Sequence, residues 1–175
     1  MIVSMLGWYR IWECDLREVV GVVDVGVGNV AALCRALSDV GAKVELVRKP
    51  SAMLGLDALV LPGVGSFDHG VTSLKGSGLW GAIQDQVLCA SLPILGICLG
   101  MQLLGDSSEE GQEEGLGFIA GEIRHIKTLS GLPDNFRIPN MGWSRVEASS
   151  EDGLQFLEHT DVGKDTTLSI LMLLC

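Results

Sequence analysis

One cysteine of the chain stands where a nucleophile could act. Cys98 lies in Gly96-Ile97-Cys98-Leu99-Gly100, the thiol counterpart of the Gly-x-Ser-x-Gly turn that presents a nucleophile between a strand and a helix. Such a turn strains the backbone and crowds the adjacent elements, so the positions two before and two after the nucleophile need no side chain. A helix that begins at Leu99 would direct its free N–H groups at the sulfur and favour the thiolate. The spacing therefore predicts that Cys98 is a nucleophile.

The other four cysteines lack this arrangement of glycines. Cys34 falls in a helical pattern and Cys89 just before a strand, while Cys14 and Cys175 lie near the chain ends. We expect them to be small buried hydrophobic residues or parts of the terminal segments. An odd number of cysteines without paired spacing predicts neither a disulfide framework nor a metal site, and a reducing cytoplasm is the expected location.

The elements that must position Cys98 alternate between strands and helices. Apolar runs predict strands at 19–24, 43–47, 57–61 and 93–97, and helices are expected at 29–40, with Asn29 as N-cap, and at 79–90. This alternation predicts a parallel sheet with right-handed crossovers and helices on both faces. Ligands of such sheets bind beyond the carboxyl ends of the strands, where Cys98 lies.

Two glycine-containing turns also follow predicted strands. Gly26-Val27-Gly28 lacks the third glycine of a dinucleotide-binding fingerprint, so we interpret it as a tight turn and expect no cofactor. Leu61-Pro62-Gly63-Val64-Gly65 would let backbone amides approach a ligand closely. Further along, residues 106–115 are acidic and predict a surface loop, and half-exposed strands are expected at 122–127 and 143–147.

Composition and charge exclude several classes of protein. The 175 residues suit one domain with a sizeable core, and a net charge of −10 with 12 Lys and Arg argues against a nucleic-acid surface. Residues 1–18 are not organised like a signal peptide, and the apolar residues 168–175 are too few to span a bilayer. We therefore expect an N-terminal extension at 1–18, a domain at 19–165 and an unrelated apolar tail at 166–175.

A set of motifs in a fixed order carries a resemblance over roughly residues 19–164. They are Asp24-Val25-Gly26-Val27-Gly28-Asn29, Leu61-Pro62-Gly63-Val64-Gly65, Gly96 to Leu104, Ser108-Glu109-Glu110 and Pro139-Asn140-Met141-Gly142-Trp143. Together they resemble the glutaminase subunit of imidazole glycerol phosphate synthase, which is a class I glutamine amidotransferase. The resemblance implies a flavodoxin-like α/β domain, with a mostly parallel sheet and helices on both faces, that lacks its last strands.

The resemblance also implies roles for individual residues. Cys98 would attack the side-chain amide carbon of glutamine, form a thioester and release ammonia. The N–H of Leu99 and one from the Gly63-Val64 turn would hold the oxyanion. Gln102 and Glu110 would hold the glutamine.

A partner is implied as well. Asn29, Met141 and Trp143 would face a barrel-shaped cyclase subunit that receives the ammonia, either in histidine biosynthesis or, as in close relatives, for amidation of cell-surface sugars. From its own chemistry, Trp143 fits a core position and an interface anchor equally.

The chain departs from the family where the general base should lie. A late His-Pro-Glu motif is absent, because none of His69, His125 and His159 is followed by Pro-Glu. We assign His69 and His159 to polar segments and His125 to a strand, all with surface or packing roles, and expect weak activity. Two alternatives stay open: a non-catalytic remnant that binds the partner, and another elbow-cysteine hydrolase with His69 or His159 as base. The residues that match the glutamine site argue against the latter.

Overall fold

The computed structural model describes residues 18–26, 28–125, 144–145 and 167–168. The chain divides into two compact units, residues 1–128 and residues 129–175. Of the predicted site residues, Met141 and Trp143 lie outside the described residues, as does His159.

A four-stranded parallel sheet is the centre of the first unit. Its strands are β1 (Val19–Val23), β2 (Lys43–Val47), β3 (Ala58–Gly63) and β4 (Ile94–Cys98), in the order β2-β1-β3-β4. The helices are α1 (Val30–Asp39), α2 (Phe67–Gly76), α3 (Leu79–Leu88) and α4 (Leu99–Leu103), with a 3₁₀ helix at Pro50–Met53. This strand order begins the flavodoxin-like series, so the expected fold class is confirmed.

One face of the sheet carries the main core. Alternate strand residues point to it, among them Val23 of β1, Val47 of β2 and Leu61 of β3, all of them buried. Phe67 of α2 and Ile83 of α3 cover these residues and are themselves fully buried. The core thus fixes α2 and α3 against the strands whose carboxyl ends carry the Gly63 turn and Cys98.

The opposite face is less covered in the described part of the chain. Helix α1 buries none of its residues completely, and its Cys34 lines a cleft together with Leu46 of β2. On β4, Leu95 and Ile97 are 47% and 37% exposed. A parallel strand is normally buried on both faces, whereas β4 is more exposed on this face than on the face that packs in the core.

Residues 106–125 contain a second, two-stranded sheet. Strand β5 (Ser107–Ser108) pairs in parallel with β6 (Glu122–Ile123). The predicted surface loop is confirmed at 109–115, where the residues are exposed or half-buried, whereas Ser107–Ser108 form a strand and Ser108 is buried. Two acidic residues of the 106–115 segment, Asp106 and Glu109, accept the backbone N–H groups of Gly121 and His125, so they bind this segment to the one that contains β6.

Three other expectations need correction. Helix α2 was not predicted, and the polar segment to which His69 is assigned is part of this helix. His125 follows β6 instead of lying in a strand. Cys89 ends α3 and is exposed, and Cys34 is only half-buried, so neither is a buried core cysteine.

In the second unit, β7 (Ser144–Arg145) pairs antiparallel with β8 (Thr167–Leu168). Strand β7 lies within the predicted strand at 143–147. In the part of the chain that is described, none of the helices has the length and apolar character needed to cross a membrane.

Candidate functional site

Cys98 adopts the backbone conformation that an elbow requires. It is the last residue of β4 and caps α4, with φ of 55° and ψ of −119°. A positive φ at a residue with a side chain is uncommon and costs energy, so the surrounding structure must enforce it. The strand and the helix meet at this one residue, which places the thiol at the carboxyl edge of the sheet.

The glycines on either side of Cys98 allow this approach. A Cβ at Gly100 would lie 1.7 Å from the carbonyl oxygen of Leu61, and one at Gly96 would lie 2.5 Å from the Cα of Met101. Neither position can hold a side chain without displacing backbone. The sequence motif predicted that neighbouring elements crowd both glycines, and the structure shows this crowding.

The turn after β3 lies directly beside the elbow. Gly63 pairs with Cys98 in the parallel register, and neighbouring strands of a sheet are about 4.8 Å apart. A Cβ at Gly63 would meet Leu99 Cβ at 3.0 Å and the backbone nitrogen of Gly100 at 3.1 Å. Gly65 has φ of +104°, and Val64 between them is 51% exposed. The backbone of this turn and the first residue of α4 therefore border the same space.

The two residues assigned to glutamine binding occupy different environments. Gln102 lies on α4, one turn after Cys98, and is only 4% exposed. Glu110 lies in the turn after β5, where its N–H donates to Ser108 Oγ at 3.2 Å. Its carboxylate oxygen Oε1 is 4.0 Å from His125 Nε2. Packing on the elbow helix thus fixes the position of Gln102, whereas the position of Glu110 depends on the conformation of the turn after β5.

Glu109, beside it, is tied to the end of β6. Its carboxylate accepts a hydrogen bond from the His125 backbone N–H at 2.7 Å and another from Arg124 Nε at 3.1 Å. These donors hold the pKa of the Glu109 carboxyl below its usual value, the backbone N–H of His125 most strongly. Glu109 therefore stays ionised and bonded near neutral pH.

Asp68, which sequence reasoning missed, holds the loop on the other side of Glu110. It lies in the first turn of α2, and its carboxylate accepts from Gln112 N–H at 2.9 Å and from Glu113 N–H at 3.0 Å. An apolar spacing of Phe67, Val71 and Leu74 marks the helix, but no local signal marks the loop that Asp68 would meet.

The turn after β1 is a tight turn, as the sequence analysis predicted. Gly26 and Gly28 have φ of +81° and +144°, as a tight turn requires. Asn29 caps α1 by accepting from Ala32 N–H at 3.4 Å. With Arg48, which forms an ion pair with Asp24 at 2.8 Å, Asn29 lines an open cleft of about 380 Å³.

Comparison with known proteins agrees with this fold. The family model described as "Glutamine amidotransferase class-I" matches residues 21–160, and the chain belongs to that family. It is similar to imidazole glycerol phosphate synthase subunit HisH of Synechocystis sp., with 42% identity over 133 residues, which is 76% of this chain and 61% of that protein. For the same subunit of Gloeobacter violaceus the identity is 43%, over 76% of this chain and 57% of the relative. The chain thus spans about three fifths of the length of these relatives.

A solved structure supports the same assignment. It is described as the crystal structure of a glutamine amidotransferase and superimposes with a TM-score of 0.55 at 26% sequence identity. The match covers 62% of this chain and 57% of that protein. The flavodoxin-like sheet and the class I amidotransferase family therefore rest on sequence and fold together.

Proposed function

We propose that the chain takes part in glutamine hydrolysis, with Cys98 as nucleophile. The sulfur attacks the side-chain amide carbon of glutamine, and the tetrahedral intermediate collapses with loss of ammonia to a γ-glutamyl thioester. Water then attacks the thioester carbonyl, and the carbon–sulfur bond breaks to give glutamate and the free thiol. No cofactor takes part in these steps.

The observation that carries the proposal is the strained backbone of Cys98. The positive φ persists between two glycines that no larger residue can replace, and the paired residue on the next strand is again a glycine. Structural strain of this kind concentrates at functional sites. A cysteine that served only as a small core residue would need none of these features.

The neighbouring residues supply the remaining functions of the proposed site. The N–H of Leu99 and an N–H of the Gly63-Val64 turn stabilise the oxyanion, because both segments border the thiol; such donors contribute roughly 10²–10³ in rate in other enzymes. Gln102 and Glu110 bind the glutamine. The burial of Gln102 on the elbow helix supports this role, since it fixes the amide one helical turn from the sulfur.

Proton transfer is the incomplete part of this site. The thiol must lose a proton and the leaving ammonia must gain one, which requires a general base. His-Pro-Glu is absent from the sequence, and His69 is exposed on α2. We therefore propose that the chain by itself hydrolyses glutamine only slightly faster than the background reaction.

We also propose a partner for the ammonia. The similarity to HisH subunits supports a barrel-type cyclase that uses ammonia in imidazole glycerol phosphate formation, a lyase step of cytoplasmic histidine biosynthesis, in a heterodimer with this chain. Asn29, at the start of α1, and the Met141 and Trp143 segment are the proposed contacts. Sugar amidation is the alternative fate of the ammonia.

The test is glutamate release per unit time by three forms, each with and without a cyclase subunit. They are the chain itself, the chain joined to a family-type ending that contains His-Pro-Glu, and that extended form with Cys98→Ala. We expect the chain itself to release glutamate at the background rate and the extended form to turn over glutamine. The extended form with Cys98→Ala should show no turnover. Cys89→Ala is the matched control in the extended form, because Cys89 is exposed at the end of α3.

Fast turnover by the unextended chain would show that one of its own histidines acts as base. An extended form that is folded and binds the cyclase, yet releases no glutamate, would instead favour the non-catalytic remnant.

A further inference from the structure

We propose that Asp68 and Glu109 are positioning residues that hold the Glu110 turn from its two sides. The proposal rests on the proposed function, because it takes Glu110 as a residue that binds glutamine. Neither carboxylate is assigned to contact glutamine. Their role is to fix the backbone that carries the binding carboxylate.

Glu109 provides the first tie. The ladder of β5 and β6 ends just before it, where the Glu109 N–H donates to the Ile123 carbonyl at 2.9 Å. Its side chain then extends the ladder by accepting from the His125 N–H at 2.7 Å, and Arg124 adds a charged donor at 3.1 Å. The segment that enters the turn is therefore bonded to β6 through both its backbone and its side chain.

Asp68 provides the second tie, from a different element. Its two carboxylate oxygens take the N–H groups of Gln112 and Glu113, just beyond the turn. Gly111 makes this approach possible, because a Cβ there would lie 2.3 Å from Asp68 Oδ1. Lys75, two turns further along α2, pairs with Glu113 at 2.6 Å and reinforces the same contact.

Glu110 lies between these ties and has few bonds of its own. Its N–H donates to Ser108 Oγ, and its carboxylate faces His125 at 4.0 Å. Two hydrogen-bonded carboxylates thus bracket a third that remains available to a ligand. A binding group is more effective when surrounding hydrogen bonds already hold it in place. The conformational entropy of that group is then lost on folding and not when the ligand binds.

The experiment measures how well Cys98 recognises a glutamine-like electrophile, so it needs no turnover. The probe is L-2-amino-4-oxo-5-chloropentanoate, the chloromethyl ketone analogue of glutamine. The Cys98 sulfur displaces chloride from its methylene carbon and forms a thioether, which peptide mapping locates. Rates measured against probe concentration give a half-saturating concentration, KI, and a maximal rate, kinact; iodoacetamide, which lacks the amino acid group, gives the intrinsic thiol reactivity.

We expect Asp68→Asn and Glu109→Gln each to raise KI about tenfold, the loss expected for one or two hydrogen bonds to a charged group. The maximal rate and the iodoacetamide rate should stay unchanged. Gly111→Ala should act like Asp68→Asn, because it disturbs the same contact without changing a charge. Glu114→Gln is the matched control, since Glu114 lies in the same loop and makes no side-chain hydrogen bond or ion pair within the described residues; its KI should not change.

The outcomes separate the two levels of the proposal. Saturable labelling of the wild-type chain with an unchanged KI in both Asp68→Asn and Glu109→Gln would overturn the positioning role alone. A fall in both kinact and the iodoacetamide rate in these two variants would also overturn the positioning role, because such a result indicates a general disturbance of the fold. Labelling of the wild-type Cys98 that never saturates would overturn glutamine recognition, and with it both proposals.

Discussion

The elbow at Cys98 and the turn at Glu110 lie in the same unit but are held by different forces. At the elbow, backbone packs against backbone, and the conformation depends on side chains that are absent from Gly96 and Gly100. At the turn, the carboxylates of Asp68 and Glu109 bind backbone N–H groups of distant segments. One region is fixed by steric exclusion and the other by charged hydrogen bonds.

This difference predicts different responses to change. Steric exclusion is insensitive to pH and salt but does not tolerate an added methyl group. Each hydrogen bond to a partly exposed carboxylate contributes less free energy than the steric exclusion at the elbow. It is also lost when the carboxylate is protonated.

Gly100→Ala should be the most damaging substitution. The new Cβ would lie 1.7 Å from the Leu61 carbonyl oxygen, so β3 and α4 must separate. We expect the free energy of unfolding to fall by about 3 kcal/mol or more, the upper range for overpacking. Urea denaturation followed by circular dichroism measures this change.

Gly81→Ala is the matched control for that measurement. Gly81 lies inside α3, and a Cβ there meets no atom within 4 Å. The same substitution should raise the free energy of unfolding by about 1 kcal/mol, because alanine is the better helix former. A loss of similar size for both variants would contradict the steric explanation of the elbow.

Asp106→Ala should have an intermediate effect on the ladder. Its carboxylate accepts from the Gly121 N–H at 2.8 Å, at the start of the pairing between β5 and β6. Removal of this bond should lower the free energy of unfolding by about 1 kcal/mol. Amide hydrogen exchange at Gly121 should speed up at the same time, and Asp106→Asn, which keeps one acceptor oxygen, should restore most of the protection. Equal exchange rates in all three proteins would mean that Asp106 does not hold the ladder.

The smallest predicted effect is a pH dependence at the end of the ladder. The His125 N–H and Arg124 depress the pKa of Glu109, so its stabilising contribution is present above the pKa of the unfolded chain and is lost as pH falls through the lower folded value. The charged and titratable groups that contact Glu109 are Arg124, through its guanidinium, and His125, whose backbone N–H donates to the carboxylate.

The chemical shift of the His125 backbone amide reports this titration directly. We expect an acid-range transition with a midpoint below that of ordinary glutamate, and we expect Glu109→Gln to abolish it. Glu114→Gln should leave it unchanged. A transition that persists in Glu109→Gln would assign the titration to another group.

Much of the fold was predictable because its signals are local. Strand β2 occurs with the predicted bounds, and the predicted Asn29 cap begins α1. Helix α2 was not predicted because its apolar spacing is sparse: Phe67, Val71 and Leu74 are its buried apolar residues, and those between them are polar or small. Phe67 packs in the core, so tertiary burial stabilises a helix that the local pattern marks only weakly.

The elbow is encoded in a short stretch of sequence. The need for glycine two residues before and two residues after Cys98 is a property of neighbours along the chain, so five consecutive residues are enough to define it. The sequence likewise indicated the parallel sheet, since long apolar runs alternate with helical segments.

Only the tertiary structure determined what surrounds Glu110. Asp68 and Gln112 are 44 residues apart, and Glu109 and His125 are 16 residues apart. A carboxylate that binds backbone N–H groups leaves no mark on its partners, because every residue except proline carries the same N–H. Such contacts have no sequence signature, and only the packing of α2, β5 and β6 brings the bonded groups together.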